Sequence, residues 1–310
     1  MNHIIVTGAT SFIGLHLVKV LLTDPNNHVF AIVRPNSLHR NKLKEDEHDH
    51  EHLTILELSL EDLEKLPALI CDPVEVFYYL AWEGTRAPAR DDPFLQARNY
   101  QLALKTLKIA AELGCRRFVG VGSQAEYGKC LGRITEAYPA APVTEYGKAK
   151  LRTCEAGSKL ATSLGVNFVW ARIFSVYGQG DFAGTLVMSG LSKMLNHENL
   201  PLTQCTQSWD YLHVSDVANA LVLLSSAPAG IYNVASGVSR PLNEYVFEMI
   251  RLTHSKSLLE FGAIPYNSVG AVSFQPVVDQ LKAAVGWTPR VSFEEGIVEI
   301  IKILQEKKEL

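Results

Sequence analysis

The chain has 310 residues, 47% of them apolar, enough to bury the core of one large domain or two coupled ones. A net charge of −4 and the lack of any Lys/Arg cluster exclude the basic stripe of a nucleic-acid binder. No run of about 20 apolar residues occurs, so no membrane-spanning helix and no membrane partner are expected.

The chain opens with an apolar strand over 3–8, "HIIVTG", rather than with the cationic and apolar regions of a signal peptide. Helical spacing follows over 12–23, then strands over 28–34 and 53–58. Between those two strands lies "EDEHDHEH" (45–52), which reads as a solvated loop with no ligand spacing of a closed zinc site, so no metal is expected. A strand over 74–82 precedes a long amphipathic helix over 95–114, closed by Gly114. A strand over 117–123, a helix over 144–165 closed by glycine, and a strand over 167–174 complete the first half. Continuous apolar strands alternating with helices predict a doubly wound parallel α/β sheet covered on both faces, with ligands outside the carboxyl ends of the strands. Beyond 175 the pattern loosens. Residues 1–175, with returns at about 210–236, read as a dinucleotide-binding domain, and about 176–209 and 237–310 as a smaller interleaved lobe. The five cysteines, Cys71, Cys115, Cys130, Cys154 and Cys205, include no CxxC pair and read as reduced thiols in a cytoplasm.

"TGATSFIG" (7–14) joins the first strand to the first helix. Gly8 suits a tight turn, a small residue at 11 lets the backbone approach a pyrophosphate, and Gly14 lets the helix pack close to the strand. The free N–H groups of that helix would meet the phosphate. Ser11 stands where glycine is usual, and a positive φ there would cost on the order of 1 kcal/mol. The second strand ends at Arg34, with Ser37 and Arg40 nearby and no acid. An arginine fork suits a 2′-phosphate, so NADP is expected over NAD.

In "TEYGKAK", Tyr146 and Lys150 are four residues apart and share a helix face. An ammonium beside the phenol would lower its pKa and fit it for acid–base work on an alcohol or carbonyl. Ser123, at the end of the strand before, can hold the same oxygen.

At these residues the chain resembles the extended short-chain dehydrogenase/reductases, the NAD-dependent epimerase/dehydratase group. "TGATSFIG" is similar to its glycine turn, "FYYLAW" to its HLAA strand, "SQAEYG" to its Ser-x-x-x-Tyr-Gly segment and "YGKAK" to its YxxxK. "RIFSVYGQG", "WDYLHVSDVANA", "YNVASG" and "GWTP" follow in the family's order. The resemblance implies a catalytic triad of Ser123, Tyr146 and Lys150. It implies a cofactor held by Gly8, Thr10, Ser11, Phe12, Ile13, Gly14, Arg34, Ser59, Leu60, Leu80, Ala81, Trp82, Asn99, Tyr146, Lys150 and Ile173. Substrate contacts would come from Trp82, Gln124, Ser175 and Trp209. The implied substrate is a nucleotide-linked sugar bound between two lobes, and the implied assembly a homodimer through the two long helices.

Departures from the family pattern narrow the chemistry. Gln124 and Ala125 stand where sugar 4,6-dehydratases carry Asp and Glu, which removes the proton donor for dehydration. Ser59 replaces an aspartate that meets the adenine, and Trp209 replaces an arginine that holds the diphosphate. Asn267 lies roughly where a second such arginine appears, leaving Arg240 or Arg86 as replacements. The leading expectation is reduction of a 4-keto-6-deoxy nucleotide sugar, with Tyr146 giving the proton. An epimerase recycling tightly held NAD, and a non-catalytic dinucleotide-binding protein, are the alternatives.

Overall fold

The computed structural model describes residues 1–37, 39–43, 50–266 and 272–309, and of residues 50 and 307–309 the backbone alone. Seven strands form one parallel sheet: β1 (Asn2–Thr7), β2 (Asn27–Val33), β3 (Leu53–Glu57), β4 (Val74–Tyr79), β5 (Arg117–Ser123), β6 (Asn167–Ile173) and β7 (Gly230–Val234). Their spatial order is β3-β2-β1-β4-β5-β6-β7. The chain therefore reverses its winding between β1 and β4, and such a switch point opens a crevice at the carboxyl ends of the strands.

The helices that cover the sheet start and stop where local chemistry dictates. In α1 (Phe12–Leu21), Gly14, Leu17, Val18 and Leu21 are buried at helical spacing. Asp92 caps α2 (Pro93–Glu112) by accepting from the N–H groups of Phe94 and Leu95, and Pro93 opens the first turn. Thr144 caps α3 (Glu145–Leu164), which ends at Gly165 with φ +71. The remaining longer helices are α4 (Leu186–Leu195), α5 (Val214–Leu224), α6 (Leu242–Leu252) and α7 (Phe293–Glu309). None among the described residues is long and apolar enough to cross a membrane.

Both faces of the sheet are buried, which is why the strands read as unbroken apolar runs. Val6, Val29 and Ala31 meet Leu17 of α1 and Val217 and Leu221 of α5 on one face. Ile5, Phe77 and Tyr79 meet Leu107 of α2 and Cys154 and Ala161 of α3 on the other. On that second face Phe77, Phe118 and Phe168 stack across neighbouring strands at 5.6 and 5.9 Å between ring centroids, and Phe168 stacks on Trp170 of its own strand at 5.8 Å. A separate apolar cluster joins α4, α6 and α7 through Val187, Leu191, Val246, Met249, Ile297 and Ile300. Asp216, buried in α5, ties this region to the sheet by accepting from the N–H groups of Arg290 (3.0 Å) and Val291 (2.9 Å). The predicted strand over 74–82 ends earlier, at Tyr79, because residues 80–84 leave the sheet to line the crevice.

Candidate active site

The turn after β1 is built to let something approach the backbone closely. Gly8 has φ +70, and a Cβ there would lie 2.8 Å from the backbone nitrogen of Ala81. A Cβ on Gly14 would lie 2.1 Å from the carbonyl oxygen of Gly8. Ser11 does not incur the expected strain: its φ is −74, and its hydroxyl caps α1 by accepting from Gly14 N at 3.1 Å. Serine thus replaces glycine here without cost to the turn, because the backbone at 11 never enters the left-handed region.

In front of the turn lies a cavity of about 420 Å³. Gly8, Thr10, Ser11, Arg34, Ser59, Leu60, Leu80, Ala81, Trp82 and Asn99 line it, together with Ser37 and His39. Of the other residues expected on the cofactor, Phe12, Ile13 and Gly14 form the first turn of α1 behind the wall. Ile173 is packed in the sheet core at 6% exposure and lines neither cavity described here. A tight glycine turn, a helix N-terminus aimed at the crevice and an arginine at the end of β2 fit an extended dinucleotide. Arg40 does not line the cavity beside Arg34 and pairs with Glu57 of β3. Ser59 donates to Asp62 at 2.6 Å.

Asn99 braces the cavity wall. Its Nδ2 donates to Glu83 O at 2.8 Å, and its Oδ1 accepts from Glu83 N at 3.3 Å. One turn earlier Gln96 accepts from Trp82 Nε1 at 2.9 Å and donates to Gly84 O at 2.8 Å. Gln96 was not apparent from the sequence. A lone buried glutamine on a helix carries no local signal.

Ser123, Tyr146 and Lys150 converge at the end of β5. Tyr146 and Ser123 line the same cavity, and the Ser123 hydroxyl accepts from Ala125 N at 3.2 Å. Lys150, 2% exposed, donates from Nζ to Val121 O at 2.6 Å, and Nζ stands 3.7 Å from the centre of the Trp82 ring. The Trp82 ring in turn meets Tyr146 edge-on at 6.2 Å.

Protonation departs from the expectation drawn from the Tyr/Lys spacing. Burial pushes the phenol of Tyr146 up to about 12, opposed by the Ser123 hydroxyl and the charge of Arg90. Lys150 does not lower it. Burial instead brings the ammonium of Lys150 down to about 7, with Glu126 opposing. Packing around the two groups penalises the charged form of each, raising the phenol and lowering the ammonium.

Glu126, fully buried, anchors the serine turn. Its Oε1 accepts from Ser123 N at 2.8 Å and Trp170 Nε1 at 3.0 Å, and its Oε2 from Arg172 Nε at 2.7 Å. Sequence reading missed it, although a Ser with Glu three residues on is a capping-box signature.

A second, larger cavity of about 620 Å³ opens beside Tyr146. Ser123, Gln124, Tyr146 and Trp209 line it, with Ala125, Thr144 and Arg90. Trp82 belongs to the smaller cavity instead, and Ser175, in a short strand paired with Tyr211, lines neither. Neither replacement arginine reaches the larger cavity. Arg240 pairs with Glu248 and stacks 3.9 Å over Tyr245, while Arg86 stacks 4.2 Å over Phe182. Asn267 and residues 45–49 lie outside the described residues. Among the described residues no group of His, Cys, Asp or Glu could hold a metal ion.

A doubly wound sheet with a glycine turn at its switch point and a second cavity alongside defines a dinucleotide-dependent enzyme of the Rossmann class. The family model described as "NAD dependent epimerase/dehydratase family" matches residues 4–235, and the chain belongs to that family. It is 25% identical over 307 residues to a CDP-abequose synthase of Salmonella muenchen, covering 97% of each chain. It is 26% identical over 286 residues to a dTDP-6-deoxy-L-talose 4-dehydrogenase (NAD(+)) of Aggregatibacter actinomycetemcomitans, covering 87% of this chain and 98% of that one. Among solved structures, a UDP-glucose 4-epimerase of Thermotoga maritima shares the fold with a TM-score of 0.86 at 21% identity, over 99% of each chain.

Proposed function

We propose that the protein is an NADP(H)-dependent oxidoreductase that reduces the 4-keto group of a nucleotide-linked 6-deoxyhexose. The observation that carries this reading is the position of the Tyr146–Ser123 pair. Both residues line the larger cavity, and Tyr146 touches Trp82 on the wall of the smaller one. A sugar in the first and a dinucleotide in the second would meet at that phenol.

When bound, the dinucleotide supplies the hydride. Tyr146 gives its proton to the carbonyl oxygen as the alcohol forms, and Ser123 holds that oxygen in line. Burial holds the Tyr146 phenol above its ordinary range, so it carries its proton at neutral pH. Lys150, beside Trp82, would hold the nicotinamide ribose. Arg34 on the cavity wall, with no acid at the end of β2, supports NADP over NAD. Gln124 and Ala125 in the larger cavity supply no carboxylate for dehydration. The relative named as a 6-deoxy-L-talose 4-dehydrogenase has, in its name, the same exchange at C4 run in reverse. In this reading 1–175 and 210–236 carry the dinucleotide, and 176–209 and 237–310 form the substrate lobe. We also infer a cytoplasmic homodimer through α2 and α3, to be checked by sedimentation.

The test is NADPH consumption against dTDP-, CDP- and GDP-linked 4-keto-6-deoxyhexoses. Turnover with at least one is expected. Tyr146→Phe should keep NADPH binding and lose about 10²- to 10⁴-fold in rate. No NADPH consumption, together with isomerisation of a sugar nucleotide without added cofactor, would replace this reading with an epimerase that recycles its NAD. Dinucleotide binding with no turnover of any kind would leave a non-catalytic binder.

A further inference from the structure

Arg90 is the one charged residue on the wall of the larger cavity among the described residues. It sits in the short turn Ala89–Asp91, which packs against α3. Its guanidinium carbon lies 5.8 Å from the centre of the Tyr146 ring. Among the described residues no carboxylate lines the cavity to neutralise it, and its Nε is buried without a hydrogen-bond partner. Two more buried atoms on this wall also lack partners, Trp209 Nε1 and Gln124 Oε1. Buried polar groups are normally paired, so three unpaired ones around a single cavity describe the complement of a ligand. That ligand carries acceptor oxygens for Arg90 and Trp209 and a hydroxyl for Gln124.

We propose that Arg90 is the specificity-determining residue of this cavity and binds an anionic oxygen group of the substrate. Trp209 Nε1 donates to oxygens of the same ligand, and Gln124 Oε1 accepts from one of its hydroxyls. The proposal rests on the nucleotide-sugar reading above and extends it to the substrate's charge. A guanidinium fork matches either a phosphate or a carboxylate. The anionic group is therefore the diphosphate link of the 6-deoxyhexose nucleotide, or else the carboxylate of a uronic acid, which would replace the 6-deoxy sugar while keeping the nucleotide-sugar reading. With one cation and no acid among the described lining residues, a neutral ligand would leave the guanidinium unpaired, so the cavity selects against it. Arg90 lies outside the dinucleotide cavity, so its loss spares cofactor binding.

The test uses full-length wild type, Arg90→Met and Arg90→Lys, each saturated with NADP⁺ and titrated calorimetrically. The probes are UDP-, dTDP-, CDP- and GDP-glucose and UDP-glucuronic acid. Arg90→Met should weaken the nucleotide sugars that wild type binds by about 10- to 100-fold. Arg90→Lys, which keeps charge without the fork, should fall between, and NADPH affinity should be unchanged in both. Equal weakening of glucose and glucuronate esters supports the proposal with the diphosphate as the anion. Weakening of the glucuronate ester alone supports it with the sugar carboxylate. If Arg90→Met binds all of them as tightly as wild type, the Arg90 assignment is wrong while the nucleotide-sugar reading stands. If wild type binds NADPH but none of these probes, the nucleotide-sugar reading fails first and takes the Arg90 assignment with it.

Discussion

Glu126 and Arg172 form an ion pair at 2.7 Å in which neither side chain reaches solvent by more than 3%. The pair sits directly behind the serine turn, since the same carboxylate accepts from Ser123 N. Arg172 also lies 4.5 Å over the ring of Tyr127. Glu126 therefore links the strand that presents Ser123 to the strand beside it.

Removing one partner strands the other charge in the interior. Glu126→Leu is expected to lose about 3–5 kcal/mol of stability, whereas Glu126→Leu with Arg172→Met should recover much of it. Urea denaturation of the three proteins measures this directly. A single variant as stable as wild type would show that the pair is not coupled.

Lys150 makes stability depend on pH. Its ammonium ionises at about 7 when folded and near 10.4 when unfolded. Between those values the unfolded chain holds a proton that the folded chain has released. The site therefore makes stability rise with pH from about 7 to about 10, by up to about 1.4 kcal/mol per unit. Below pH 7 both states are charged and the contribution is flat and least favourable. The unfolding free energy of wild type minus that of Lys150→Met should climb across this range; a level difference contradicts the assignment.

The phosphate turn separates a cap from a steric requirement. Ser11→Ala removes the acceptor for Gly14 N and should cost about 1 kcal/mol in thermal denaturation. Gly14→Ala pushes a methyl group to within 2.1 Å of Gly8 O and should open the turn. Fluorescence titration with NADPH is expected to show binding by the first variant and none by the second.

Arg34 is exposed on the rim of the smaller cavity. Arg34→Ala should weaken NADPH by about 10-fold or more while leaving NADH nearly unchanged, since only the former offers a phosphate to the fork. Equal losses for both cofactors would remove Arg34 from discrimination.

Much of the fold was legible because its signals are local. The sheet strands read as apolar runs and Gly114 and Gly165 close the two long helices, while the caps Asp92 and Thr144 were not singled out. The glycine turn and the Tyr146/Lys150 spacing were visible for the same reason. Gln96, Glu126 and Arg90 were not identified. Gln96 bonds to the loop just ahead of its own helix, Glu126 meets Trp170 and Arg172 only through a crossover, and nothing beside Arg90 in sequence marks it as the charge facing Tyr146.

Protonation was the least legible property. Spacing alone set an ammonium beside a phenol and implied a depressed phenol pKa. Only the packed structure gives Lys150 to Val121 O and Trp82, and surrounds both groups with material that resists charge. The order of elements, their caps and the glycines of the turn follow from neighbouring residues, so the chain itself dictated them. Which charges are buried, which are paired and which cavity each residue faces depend on distant segments meeting. Desolvation and pairing act through space, so the tertiary structure alone decided them.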